Sequence, residues 1–597
     1  MILERNVNKD SKLLLKPLGY LYFILLGSVF VFVCKISKDI YENGNIEWTY
    51  VYFMGKLIPA VIIGALIGGI TSLVLYRIYK NKEQKASRPF FKWISIILNK
   101  IAKLFFVFNK GFNGKLSYRI MHASSLILIL MAWYIPFLAY YPGILAYDSP
   151  VQFGMIFDGY MIDHHPIAHT LVLRLFTNAG IKYFGSANTG VAIYTLVQMI
   201  ILALAFSYAI GMMRRMNVAP AVIVISLLFA MFYPFNWYMA VSMTKDTFFT
   251  AFFLIAVTNL IYILYEDDNK YALKSTDAGY GIFLYLGMLF RNNFIYAFAG
   301  YLIVLAVIFL TNKKRAILWR RIALISLVVF IAGGITLSIL FRMTNAEQGD
   351  RRESLSMPIQ QFARTMLYHG GVGIYPEDDG TMREKDKALI NDFLLDGAYG
   401  RYDADFADPV KSHTNTYVAR YRTADFIKSY TGLFEEYTGD FVNAFLALDA
   451  GYLYPNDITH AHIFDFEGIH NKGYVQTYWL ESELSARGLY KNTKWQKMYI
   501  TLEEWADNNT YLGYGIFKYL FVPGVFIWAY LFLAGVILIR RDYGKLAIIA
   551  LILLYMMTLL LGPVVSLRYV YPLMGTFPII AAITLKKKNK GRISERA

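Results

Sequence analysis

A few acidic, basic and imidazole side chains interrupt an otherwise apolar chain, and they recur in short clusters. The first is Tyr147-Asp148-Ser149-Pro150, followed by Asp163-His164-His165-Pro166 and then His169. The second is Thr244-Lys245-Asp246, the third Arg291-Asn292-Asn293, and the fourth Ser566, Arg568 and Tyr569. A fifth tract, running from Arg351 to Gln361, opens a long polar segment. These residue types suit one kind of chemistry. A carboxylate such as Asp148 can take the proton of an attacking hydroxyl. Arginine and lysine can hold a phosphate leaving group and the charge that develops on it.

Each cluster also has a plainer reading. Asp148 ahead of Ser149-Pro150 is a good helix N-cap. Lys245-Asp246 can be an interfacial ion pair, and Arg568 can extend toward lipid headgroups. His165 and His169 stand at i and i+4 with Asp163 and His164 close by, but no Glu lies between them as in the helical zinc motif. A divalent cation is therefore the one cofactor left open, and no cofactor is firmly implied. There is no G-x-x-x-x-G-K-[ST] loop and no strand–GxGxxG–helix context, which disfavours an ATP-driven transporter or a nucleotide-sugar transferase.

The elements that must position these residues are membrane helices. Of 597 residues, 57% are hydrophobic and only 17% charged, with a mean hydropathy of +0.41. Soluble domains carry about 25% charged residues. The single cysteine, Cys34, excludes an internal disulfide framework and a Cys-based zinc site. Apolar runs long enough to cross a bilayer predict twelve spans, near 18–36, 51–76, 120–140, 188–212, 219–236, 247–265, 277–290, 294–311, 322–341, 513–539, 546–563 and 569–585. The pair flanking Arg291-Asn292-Asn293 reads as a broken or re-entrant element, because its first member is short. The first apolar run lacks a small-residue cleavage site and reads as a span rather than a signal peptide.

The net charge of +17 is first an orientation signal and not a nucleic-acid footprint. Arg77–Arg119 holds eleven basic residues and one acid, and Arg214-Arg215, Lys313-Lys314-Arg315, Arg320-Arg321, Arg540-Arg541 and the Lys586–Arg592 tail follow at span ends. Twelve spans place all of these, with both termini, on the cytoplasmic side of a plasma membrane. Glu266-Asp267-Asp268 is the acidic exception on that side. Pro89–Lys110 reads as an amphipathic helix on the inner leaflet. The polar clusters then fall together on the outer face, as does residues 342–512, with 26 acids against 17 bases.

The expected architecture is thus all-α: a multi-pass bundle with a mostly helical extracytoplasmic domain. Residues 1–118 give two spans and the amphipathic helix, 119–341 the core with its outer loop, 342–512 the external domain, and 513–597 the last spans and basic tail. Helical stretches are predicted over Lys385–Leu395 and Tyr417–Leu448, and a juxtamembrane helix over 166–182.

On these residues the chain resembles the GT-C class of polytopic glycosyltransferases. Tyr147-Asp148-Ser149 stands where that class carries an acidic residue in an external loop, and His164-His165-Pro166 stands where a His-Pro element follows. Lys245-Asp246 and Arg568-Tyr569 with Pro572 resemble later basic elements of the class. The chain looks more closely similar to an uncharacterised bacterial family of such proteins, through Asp148, the His-His-Pro element and Glu353–Gln361. Two departures stand out: the usual acidic pair is Asp148-Ser149 here, and the acidic loop follows the third span rather than the first. The resemblance implies transfer of a sugar from a polyprenyl-phosphate-linked donor to a cell-envelope glycan or glycopolymer, on the outer face of the bilayer. Asp148 would be the general base. Arg291, Arg568 and Lys245 would hold the lipid phosphate, Asp163, His164 and His165 would shape the sugar or acceptor site, and Asp246 would be a further substrate-binding residue. The alternative is a transporter or flippase for lipid-linked sugars or envelope polysaccharide.

Overall fold

The computed structural model describes residues 2–80, 115–145, 148–266, 272–457 and 483–586. The segment Pro89–Lys110, the pair Asp267-Asp268 and the tail beyond Lys586 lie outside the described residues. Among the described residues the protein is all-α; its only β pairing is isolated bridges.

The long helices are α1 (Ile2–Asn43), α2 (Tyr50–Lys80), α3 (Lys115–Ala139), then short α4 (Ser149–Asp158) and α5 (Ile167–Phe184). They continue as α6 (Ala187–Arg215), α7 (Pro220–Phe232), α8 (Pro234–Val241), α9 (Lys245–Glu266), α10 (Ser275–Phe290), α11 (Phe294–Thr311) and α12 (Ala316–Met343). Among the described residues eight helices are long and apolar enough to cross a membrane, nine if the bent pair α7–α8 is one span. The pair bends by 48° at Pro234, which cannot continue the hydrogen-bond ladder. Three of the twelve expected spans are thus shorter or less apolar than a standard crossing: α10, α20 (Leu546–Leu559) and α21 (Leu567–Leu585), which holds Pro572 and Pro578. The expected span 513–539 begins only at α19 (Pro523–Arg540), since 510–521 winds as 3₁₀ turns.

The segment between α12 and α19 is helical, as expected, and its apolar residues form a core of their own around Phe362, Phe393, Phe426 and Phe441. Its helices are α13 (Ser356–His369), α14 (Glu384–Phe393), α15 (Thr416–Tyr421), α16 (Thr423–Glu436), α17 (Thr438–Leu448) and α18 (Gln496–Asp507). The single stretch expected over 417–448 is three helices, broken at Arg422 and Tyr437.

The helix ends sort into two poles. At one, Arg214 bonds Ser117 at 3.1 Å, Arg215 lies over Tyr118 and Tyr262, Arg321 pairs with Asp277 at 3.1 Å, and Lys586 reaches the Met216 carbonyl. Glu266, the first member of the acidic exception, belongs here and is paired with Lys274 at 2.8 Å. The opposite pole holds Asp148, Lys245, Arg291 and Arg568. Close packing behind it depends on two glycines: a Cβ on Gly180 or Gly190 would overlap the backbone of the facing helix, so α5 and α6 touch main chain to main chain.

Candidate active site

Two short backbone pairings place the acidic loop. Ile144 donates its N–H to the Val241 carbonyl at 2.9 Å and accepts from Met243 N–H at 2.9 Å. This ties the Asp148 loop to the start of α9, where Lys245 and Asp246 stand. Likewise Asp163 N–H donates to the Glu347 carbonyl at 3.0 Å, and Glu347 N–H to Met161 at 2.8 Å, which fixes the His-His-Pro turn.

Asp148 does occupy the N-cap position of α4, but its side chain makes no capping hydrogen bond. The carboxylate turns instead to Lys245, whose Nζ donates to Oδ2 at 2.5 Å, and to Arg568, whose Nη1 donates at 3.2 Å. His165 Nδ1 stands 3.9 Å from the same oxygen and 3.4 Å from Lys245 Nζ. Asp246 is fully buried, pairs with Arg291, and lies 3.9 Å from Arg568. Six of the eight residues singled out from sequence therefore meet in one cluster: Asp148, His165, Lys245, Asp246, Arg291 and Arg568.

Burial would raise the Asp148 carboxyl, but the Lys245 and Arg568 charges outweigh it and hold the group well below the ordinary carboxylate range. Burial also pushes His165 well below its usual value, so it is a neutral imidazole beside these charges. The cluster thus sets three cations against two carboxylates.

The remaining two residues lie at the edge. Asp163 accepts the Gly349 N–H at 2.5 Å, and its side chain faces a groove of about 520 Å³ with Asn292, Phe341 and Arg342. His164 is exposed, with its ring 4.4 Å from His165. His169 is not beside them as a ligand. Its ring bonds Gln152 at 3.0 Å and Tyr194 at 2.7 Å, buried where α4, α5 and α6 meet. Among the described residues no three His, Cys, Asp or Glu are grouped to hold a metal ion. The Glu353–Gln361 tract also lies apart: Gln360 and Gln361 donate to the carbonyls of Asp403 and Phe441 at 2.6 and 3.1 Å, which anchors α13 to its own domain.

Sequence reasoning named Tyr569 and Asn293 as neighbours of the two arginines without giving them a role, and it missed Tyr555 and Gln198. Tyr569 accepts from Arg568 Nη2 at 2.9 Å and lies under Arg291, 5.0 Å from its centroid; Tyr555 lies 5.7 Å away. Asn293 takes the Arg291 Nε–H at 2.9 Å. Gln198 donates to the carbonyls of Met239, Ala240 and Ser242 at 3.3, 3.1 and 2.6 Å, shaping the turn before Lys245. An aromatic or an amide inside an apolar helix gives no sequence signal of this kind.

No curated protein and no solved structure matches the chain. A family model matches residues 156–597, which takes in His165, Lys245, Asp246, Arg291 and Arg568 and begins just past Asp148. Its span is most of the chain, and the protein therefore belongs to the family of unknown function DUF6020.

Proposed function

We propose that the protein is a membrane glycosyltransferase that moves a sugar from a polyprenyl-phosphate-linked donor to a cell-envelope acceptor on the outer face. The observation that carries this reading is the convergence of Asp148 with Lys245, Arg568 and the Asp246–Arg291 pair at one pole of the bundle. Asp148 is the base that receives the acceptor hydroxyl proton, and Arg568 and Lys245 hold the phosphate that leaves. The surplus positive charge suits an anionic leaving group. The groove beside Asp163 supports a lipid-borne donor. It adjoins a second, apolar hollow of about 490 Å³ along α12, with which it shares Ser338 and Arg342, so a cation stands at the polar end of an apolar path. On this reading the basic pole is cytoplasmic, in keeping with the positive-inside rule.

The test is sugar transfer by purified protein in proteoliposomes, using a radiolabelled polyprenyl-phosphate sugar and an envelope glycan fraction. Label in the glycan supports the reading. Label that crosses the bilayer with no glycosyl product overturns it in favour of transport.

A further inference from the structure

A further cavity, of about 590 Å³, opens at the start of α17 and is lined by Glu47, Trp48, His369, Glu436, Tyr437 and Asp440. Its walls come from opposite parts of the chain. Ile46, in the loop between α1 and α2, donates its N–H to Asn443 Oδ1 at 3.0 Å, and Asn443 Nδ2 donates back to the Ile46 carbonyl at 3.3 Å. Arg364 Nη2 donates to Asn45 Oδ1 at 2.8 Å. These bonds clamp the loop to the helical domain and leave the hollow between them.

The lining combines ring faces with oxygen acceptors. Trp48 is 48% exposed and packs over Gly439, where a Cβ would meet its Cβ and Cγ at 3.1 Å. Its ring meets the edge of Phe53 at 5.0 Å. Tyr437 lies against His369, ring centroids 5.1 Å apart. Asp440 and Asp379 flank His369 at 2.8 and 2.9 Å, Arg364 also faces Asp440 at 3.3 Å, and Glu436 pairs with Arg383. Asp440, Asp379 and Glu436 are thus each paired with a cation, and Glu47 adds an exposed carboxylate from the loop. Their lone pairs remain acceptors for hydroxyl groups. Rings that offer an apolar face beside oxygen acceptors match a neutral sugar, which presents C–H faces and hydroxyl edges.

The cavity is set back from the charged cluster. Helix α17 has 11 residues, a length of about 16 Å at the usual rise. Its far end leads through Asp449 to Tyr452, which is buried in the same core as Val565 and Leu567, next to Arg568 in the chain. A ligand that reached both places would be an oligosaccharide and not a single sugar.

We propose that this cavity binds a neutral glycan, holding the acceptor chain several sugars away from the end that receives the transferred unit. The acceptor role rests on the transferase reading; glycan binding itself does not. The experiment is calorimetric titration of detergent-purified full-length protein with a panel of neutral hexasaccharides, in wild type, Asp148→Asn, Trp48→Ala and Glu47→Gln. Saturable binding is expected in wild type and Asp148→Asn. A loss of at least about tenfold is expected in Trp48→Ala, with a smaller loss in Glu47→Gln, an exposed position whose substitution does not threaten folding. The proposal is overturned if no neutral hexasaccharide binds, or if both variants bind like wild type, as they would were Trp48 only an aromatic anchor at the bilayer surface. Glycan binding without any sugar transfer would sink the transferase reading alone. Transfer with an unchanged acceptor KM in both variants would sink this one alone.

Discussion

Replacing Asp148 by Asn separates the roles of the cluster. The amide keeps the shape of the carboxylate but removes its charge, so three cations then face only Asp246. The groups that lose their counter-ion are Lys245, at 2.5 Å, and Arg568, at 3.2 Å, the two assigned to the phosphate. Loss of a general base costs about 10²- to 10⁴-fold in rate, or roughly 3–5 kcal/mol of transition-state stabilisation. Donor affinity moves the other way or stays level, because an anionic phosphate meets more net positive charge. The expected result is a kcat lower by about 10²- to 10⁴-fold with donor KM unchanged or reduced. Initial rates in proteoliposomes across a range of donor concentrations measure both, with thermal unfolding as a check on folding. A kcat within about threefold of wild type would refute the assignment, since about 0.7 kcal/mol is too little for a lost base. A normal kcat with a raised KM would make Asp148 a structural counter-ion.

The buried Asp246–Arg291 pair gives a second outcome: Asp246→Asn should cost about 3–5 kcal/mol in denaturant unfolding of the solubilised protein, and adding Arg291→Met should recover most of it, because the penalty is an unpaired buried charge. Gln198→Leu would strip the shared donor from three buried carbonyls, at a cost of about 1–3 kcal/mol, and would lower transfer by displacing the turn before Lys245; a variant with wild-type stability and rate would remove Gln198 from that role. His369 is pushed up to about 9 by its hydrogen bond to Asp440, against burial, with Asp379 adding to the rise. A raised folded value means the imidazolium's stabilisation is complete below about 6.5, the usual unfolded value, and is lost as pH rises through about 9. Melting curves of His369→Gln should therefore lie below wild type in mild acid and converge with it in alkali; a gap that widens with pH would contradict this.

The fold was legible where apolar length and polar breaks agree, as at α1, α2, α6, α9 and α12. It was less legible where tertiary packing replaces lipid. α9 is buried almost throughout, so nothing in its composition separates a lipid-facing span from one wrapped by neighbours. α21 carries two prolines and still runs as one helix among α6, α9 and α19, which supply the packing its own ladder lacks. The site was readable for a related reason. Charge in an apolar setting is rare enough to mark itself, and Asp148, Lys245, Asp246, Arg291 and Arg568 could be picked out one by one. Their pairing could not, because 420 residues separate Asp148 from Arg568. The His165–His169 spacing, left open as metal ligation, shows the converse. Four-residue spacing puts two side chains on one helix face, but His165 precedes α5, and the ring of His169 turns inward to Tyr194.

The geometry also ranks the cations. Arg291 is committed: it pairs with a carboxylate that has no exposure, bonds Asn293, and is enclosed by the rings of Phe249, Tyr555 and Tyr569. Turning it toward a ligand would leave the buried Asp246 with only the Thr244 hydroxyl at 3.2 Å and Arg568 at 3.9 Å, a cost that a single phosphate contact does not offset. Lys245 and Arg568 instead share Asp148, which keeps 24% exposure and so lies on the open side. On the transferase reading, a donor phosphate competes with Asp148 for these two charges. As they turn to the phosphate, what holds the carboxyl well below its ordinary range weakens, and burial, which acts in the opposite sense, raises it. Asp148 is then a poor base in the empty site and a better one only with donor bound. The ion pairs that suppress its basicity are the ones the substrate must break, which ties proton removal from the acceptor to the presence of the leaving group.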